Sequence, residues 1–236
     1  MKLLIIRHGD PDYSIDSLTE KGWREAELLS DRLARLPIRD IYCSPLGRAI
    51  DTASLTLKKM QREATILPWL TEFRGKVVDP CSAEKKISWN FMPQYWTRCP
   101  ELFDKDHWLD HDLIQSDNVR LIYDETVSGI TELLNNYGYR QDGYLWHCAN
   151  NTDETLVLFC HCAIGQVIMG YLLGIAAPVM WHGFVLPTSS VTTLITEERV
   201  KGTVIFRCMQ MGDTSHLYAA GEPISRAGLY PESFEK

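Results

Sequence analysis

Two short apolar runs that each end on a histidine constrain this chain most. Leu3-Leu4-Ile5-Ile6 stops on Arg7, His8 and Gly9, and Thr155-Leu156-Val157-Leu158-Phe159-Cys160 stops on His161 just before the helix-like stretch Ala163–Gly174. Apolar runs of this length, bounded by turn signals, read as strands buried on both faces of a helix-covered sheet. Open α/β sheets place their ligands at the carboxyl ends of such strands. Both histidines are therefore expected where chemistry is done.

The residues around the first run suit a phosphate. Arg7 offers planar, bidentate donors, and a neutral His8 beside it can attack phosphorus. Gly9 allows a sharp turn and close backbone approach to a ligand. Further on, Ser44-Pro45 follows the strand-like Ile38–Cys43 and reads as a helix start with Ser44 as cap and Pro45 just inside. Arg48 then falls in the first helical turn, where the helix dipole also favours an anion. Glu72 follows the β-like segment Ala64–Leu67. Taken singly, each has an ordinary reading as well: a strand end, a surface ion pair, a solvated loop carboxylate.

Periodicity supplies the frame. Helices are expected over Thr19–Leu36, with Thr19 as cap and Pro37 as stop, over Leu46–Gln61, and over Asp124–Tyr137 ending at Gly138. Met180–Leu186, Ser190–Thr196 and Thr203–Met209 read as strands. The fold class expected is α/β: a mostly parallel central sheet with helices on both faces and antiparallel edge strands after residue 180. Residues 1–236 read as a single domain, with residues 76–125 an insertion carrying Trp89, Phe91, Tyr95, Trp96, Phe103, Trp108 and Tyr123. As a group these rings suggest an apolar wall for the non-phosphate part of a substrate; any single one is expected simply to pack the insertion onto the body.

A formal net charge of −7 argues against a nucleic-acid partner and against large anionic substrates, leaving a small phosphate ester as the easier ligand. Seven cysteines form no metal-finger or small-secreted-domain spacing. The amino terminus is too short for a signal-peptide core, and no apolar stretch reaches the ~20 residues of a membrane span. A reduced, cytoplasmic protein is expected. Cys160 and Cys162 are expected to point away from His161 into packing. His107 and His111 have i,i+4 spacing among acidic neighbours but no third ligand, so they read as a solvated helix face, and neither a metal nor a cofactor is expected. Nothing in the sequence sets an oligomeric state.

Taken together and in order, Arg7-His8-Gly9, Leu18-Thr19-Glu20-Lys21-Gly22, Ser44-Pro45-Leu46-Gly47-Arg48-Ala49, Leu70-Thr71-Glu72, His161, Thr188-Ser189-Ser190-Val191-Thr192 and Gly212-Asp213-Thr214-Ser215-His216-Leu217 resemble the histidine phosphatase superfamily, also called phosphoglycerate mutase-like, in its phosphatase branch. The resemblance implies a three-layer α/β sandwich with residues 76–125 as a lid. It also implies a histidine acid phosphatase-type phosphoric monoester hydrolase working through a covalent phosphohistidine. His8 would be the nucleophile, Glu72 the proton donor, and Arg7, Arg48 and His161 would hold the phosphoryl oxygens. Ser14 falls where relatives often place a phosphate-contacting Asn, in an unusual Asp10-Pro11-Asp12-Tyr13-Ser14 continuation. Cys162 after the second histidine and Phe73-Arg74-Gly75 after the acid also depart from the common pattern. The alternatives are a phosphoglycerate-type mutase, whose characteristic segments after the acid and the second histidine are missing here, and a catalytically silent phosphate-binding module.

Overall fold

A computed structural model describes residues 1–80 and 82–229, so Cys81 and residues 230–236 lie outside the described part. Eight strands join in one sheet: β1 (Lys2–Arg7), β2 (Ile38–Cys43), β3 (Thr65–Ile66), β4 (Arg140–Asp142), β5 (Leu145–His147), β6 (Thr155–Cys160), β7 (Val191–Val200) and β8 (Thr203–Asp213), in the order β3-β2-β6-β1-β7-β8-β5-β4. The helices used below are α1 (Glu20–Leu33), α2 (Gly47–Met60), α3 (Val119–Asn136), α4 (Cys162–Leu173), α5 (Ala177–Gly183) and α6 (Ser215–Ala219).

The central strands are apolar throughout because they are buried on both faces. Leu3 and Ile5 of β1, with Leu156, Leu158 and Cys160 of β6, face one core with residues of α3, α4, α5 and the insertion. Leu4, Ile6, Val157 and Phe159 face the other, against Leu29 and Leu33 of α1 and Ala49 and Ala53 of α2. The period-two alternation of a strand splits each run between two cores. Helix α4 is buried nearly all round, as its apolar composition requires.

The sheet is mixed rather than mostly parallel. Parallel ladders link β3, β2, β6 and β1, whereas β7, β8, β5 and β4 continue antiparallel. The long β7–β8 hairpin turns over Lys201–Gly202 with no crossover helix, so its two strands must run against each other. Met180–Leu186 is also different: helix α5 occupies Ala177–Gly183, with Pro178 in its first turn and Met180 and Trp181 buried. Packing there overrides β-propensity. Thr19 caps α1 as expected, its side chain accepting the Gly22 N–H, while α3 starts at Val119, ahead of Asp124. Among the described residues no helix is long and apolar enough to cross a membrane.

Candidate active site

Adjacent strands β2, β6 and β1 end level with one another. The His8 N–H donates to the Cys160 carbonyl at 3.0 Å, and the Ser44 N–H donates to the Phe159 carbonyl at 2.9 Å. His8, Ser44 and His161 therefore leave the carboxyl edge of the sheet side by side. The two imidazole centroids lie 5.1 Å apart, tilted by 58°.

The His8 ring has a defined tautomer. Its Nδ1 lies 2.7 Å from the Gly9 carbonyl oxygen, which can only accept, so the proton sits on Nδ1 and Nε2 keeps its lone pair. Burial and then the Arg7 charge depress the pKa to about 3. The ring is thus neutral across the physiological range. His161 is also held neutral, chiefly by burial and then by His8; its Nε2 is 2.7 Å from the Ser44 Oγ.

Both arginines are buried and only partly satisfied. Arg7 donates from Nη1 to the Leu186 carbonyl at 2.6 Å and from Nη2 to the Ala227 carbonyl at 3.2 Å. Arg48, in the first turn of α2 as expected, pairs with Asp16, and the Tyr13 ring lies 5.4 Å from its guanidinium carbon. Among the described residues, Arg7 Nε, Arg48 Nε and His161 Nδ1 have no hydrogen-bond partner. Each buried, unpaired arginine N–H costs about 1–3 kcal/mol, and an oxyanion would satisfy these two donors. The Glu72 Oε1 accepts the N–H groups of Phe73 (2.9 Å), Ala163 (3.0 Å) and Ile164 (3.1 Å). The last two belong to the first turn of α4, directly after His161. Burial nonetheless raises the Glu72 pKa, outweighing the N–H groups of Phe73 and Ile164 and the two arginines.

Several expectations change at the level of contacts. Ser44 does not cap α2, which begins at Gly47 with Leu46 as cap; its hydroxyl instead orients His161. Gly9 makes its close approach to protein backbone: a Cβ there would meet the Gly22 carbonyl oxygen at 2.8 Å, and one at Gly22 would meet the Asp10 oxygen at 2.2 Å. Ser14 is exposed and bonds Asp12 at 2.6 Å; within that loop, Asp16 supplies the contact to Arg48. Cys160 is buried in the core shared with Ile5, and the Cys162 Sγ lies 3.8 Å from the Gln166 Oε1. His107 and His111 do not share a helix, since a 3-10 turn over Trp108–Asp110 separates them and the His111 Nδ1 accepts the Leu113 N–H.

The aromatic insertion is engaged with the body. Phe91 and Trp96 both stack on His182, at 5.2 and 5.0 Å between centroids, and Trp108 meets Trp181 edge-on at 5.8 Å. Trp89 Nε1 donates to the carbonyl of Phe73, the residue after Glu72, at 3.0 Å. Sequence reading missed Asp16, Glu25 and Thr52. Thr52 Oγ1 accepts the Gly9 N–H at 2.9 Å, and the buried Glu25 accepts from the Asp10 N–H and the Thr188 hydroxyl, each at 3.0 Å. A polar residue on the inner face of α1 was the available signal for Glu25; Asp16 left none.

Residues 3–104 match the model of the histidine phosphatase superfamily (branch 1). Over 70 residues the chain is 33% identical to a 2,3-bisphosphoglycerate-dependent phosphoglycerate mutase of Thermoplasma acidophilum, covering 25% of this chain and 35% of that protein. Over 81 residues it is 35% identical to an adenosylcobalamin/alpha-ribazole phosphatase of Salmonella typhi, covering 30% and 40%. The matched region thus spans well under half the length of these curated relatives. Solved structures share the fold over nearly the whole chain. A phosphoserine phosphatase of Entamoeba histolytica in complex with 3-phosphoglyceric acid is 20% identical with a TM-score of 0.60, covering 92% of this chain and 98% of that one. An alpha-ribazole phosphatase of Shigella flexneri is 18% identical with a TM-score of 0.56, covering 91% and 97%. With its motif residues gathered at one sheet edge of this fold, the chain is similar to the histidine phosphatase superfamily over residues 3–104 and shares the fold of these phosphatases.

Proposed function

We propose that this chain is a phosphomonoesterase that hydrolyses a small organic phosphate through a phosphohistidine on His8, within a single domain spanning residues 1–236. The observation that carries this reading is the His8 ring: neutral, with Nδ1–H committed to the Gly9 carbonyl and Nε2 free as a nucleophile. Arg7 and Arg48 each bring a buried Nε–H that lacks a partner, and His161 Nδ1 is likewise without one. Phosphoryl transfer asks mainly for such positioning and for charge around the equatorial oxygens.

In the first step the Nε2 lone pair forms the N–P bond as the P–O ester bond breaks, and protonated Glu72 gives its proton to the leaving oxygen. In the second, ionised Glu72 takes a proton from water as the water oxygen attacks phosphorus and the P–N bond breaks, restoring His8 and releasing phosphate. The raised Glu72 pKa suits both jobs. The likeness to phosphatases supports water as acceptor, and His161-Cys162-Ala163-Ile164 lacks the His-Gly-Asn-Ser pattern of the mutases. Residues 76–125 serve as a lid, anchored beside Glu72 through Trp89. Ser14, exposed and bonded to Asp12, belongs to the same loop as Asp16 and is proposed to meet the substrate from there. The free thiols of the described cysteines support a cytoplasmic setting.

Brief reaction with a 32P-labelled phosphate ester should leave acid-labile, base-stable label on the protein, and His8→Ala should carry none. Label persisting in that variant removes His8 as nucleophile. A panel of phosphate esters, with the same variant as control, separates enzyme from silent binder.

A further inference from the structure

Resting on that reading, we propose that Ser189 and His216 are positioning residues for His8, holding its backbone so that Nε2 is aimed at phosphorus. Ser189 has a φ of +54°, the left-handed region that a non-glycine residue enters only against steric strain. In that conformation its N–H donates to the His8 carbonyl at 3.0 Å. The neighbouring Ser190 carbonyl accepts the Arg7 N–H at 3.2 Å, and the Leu186 carbonyl accepts Arg7 Nη1 at 2.6 Å. One short segment thus grips both residues of the first motif.

What keeps Ser189 left-handed is its own side chain. The Ser189 Oγ lies 3.1 Å from Nε2 of His216, a residue 7% exposed. His216 is delivered by α6, whose start is set by Asp213: its Oδ1 accepts the Ser215 N–H at 2.8 Å, and its carboxylate pairs with Arg32 of α1 at 2.6 Å. The chain therefore runs from α1 through Asp213 and His216 to Ser189 and ends on the nucleophile. With the His8 N–H tied to Cys160 and its Nδ1 tied to Gly9, the carbonyl held by Ser189 is the remaining backbone anchor. A displacement of about 1 Å at a reacting group can cost roughly 100-fold in rate.

Five variants test this. Ser189→Ala and His216→Ala should each lower kcat on p-nitrophenyl phosphate about tenfold with KM changed less than about threefold. His216→Gln, which returns an amide near the Nε2 position, should recover most of the loss. Ser189→Gly should stay close to wild type, because glycine adopts this φ without the hydroxyl's help. The double alanine variant should be no slower than the worse single one, as expected of residues acting in one chain. A readout independent of turnover is the 15N spectrum of histidine-labelled protein. His8 should show Nδ1 protonated in the wild type and a tautomer mixture in His216→Ala. The proposal is overturned if folded His216→Ala keeps both the wild-type kcat and the wild-type His8 signals, or if the two alanine losses multiply. Should the wild type turn over no ester, the hydrolase reading falls and the 15N comparison alone decides the positioning role.

Discussion

The carboxylate of Asp16 is shared between the Arg48 guanidinium and the Gly47 N–H, which it accepts at 2.8 Å. It lies in a loop whose backbone is left-handed at that residue, with a φ of +49°. Burial works upward on its pKa, yet the Gly47 N–H and Arg48 hold it below the usual range. Under the proposed function, this internal anion would compete with phosphate for the arginine of α2.

Replacing Asp16 by Asn keeps an acceptor and removes the charge. Inorganic phosphate should then bind about three- to tenfold more tightly, the size expected for one partly exposed charge near the site. Isothermal titration at fixed ionic strength measures this. Weaker binding would mean that the carboxylate serves mainly to aim Arg48.

With Glu72 as the proposed proton donor, the alkaline limb of activity should follow its titration. Its raised pKa keeps the acid protonated above the ordinary carboxylate range, while His8, with a pKa of about 3, stays neutral well into acid. For a substrate with a poor leaving group, kcat should fall as pH rises through the Glu72 pKa. Glu72→Gln should abolish that limb and slow poor leaving groups most, by about 100-fold or more; equal losses for good and poor leaving groups would remove Glu72 as the acid.

The buried histidines predict acid sensitivity of the fold. His8 and His216, with pKa values of about 3 and about 4, bind protons more weakly folded than unfolded. The unfolded chain therefore takes up more protons below pH 6.5, and their contribution is full above that pH and declines toward pH 3–4. Glu25 and Glu72, raised by burial, slope the opposite way above the ordinary carboxylate pKa. Urea unfolding of His216→Gln should consequently show a shallower loss of stability between pH 6.5 and 4 than the wild type. An unchanged slope would show that His216 titrates normally.

His182 pins the aromatic insertion. Its Nδ1 donates to the Pro178 carbonyl at 2.7 Å, its Nε2 accepts the Phe91 N–H at 3.0 Å, and Phe91 and Trp96 stack on its ring. His182→Ala should lower stability by about 1–3 kcal/mol and speed amide exchange around Phe91–Trp96 while leaving β1 and β6 protected. Equal acceleration everywhere would indicate global loosening rather than release of the insertion.

The central strands and the residues they end on were legible in the sequence because their physics is local. Four apolar residues before Arg7-His8, or five before His161, have no better burial than a doubly covered strand, and a strand's end is a fixed place in a sheet. The Thr19 cap and the Arg48 helix position follow from the same short-range rules. Other features depend on residues far apart in the chain. The antiparallel half of the sheet follows from which edge the β7–β8 hairpin joins, and α5 from packing that outweighs β-propensity. Ser44 turns to His161 instead of capping α2 because β2 and β6 end side by side. Asp16 meets Arg48, and His216 meets Ser189, across 32 and 27 residues of sequence. The sequence by itself determined which groups can do phosphate chemistry and on which strand ends they sit. The tertiary structure decided which tautomer His8 takes, which donors are left without partners and which backbone groups bond to His8, because hydrogen-bond geometry and burial arise only when distant segments close on one another.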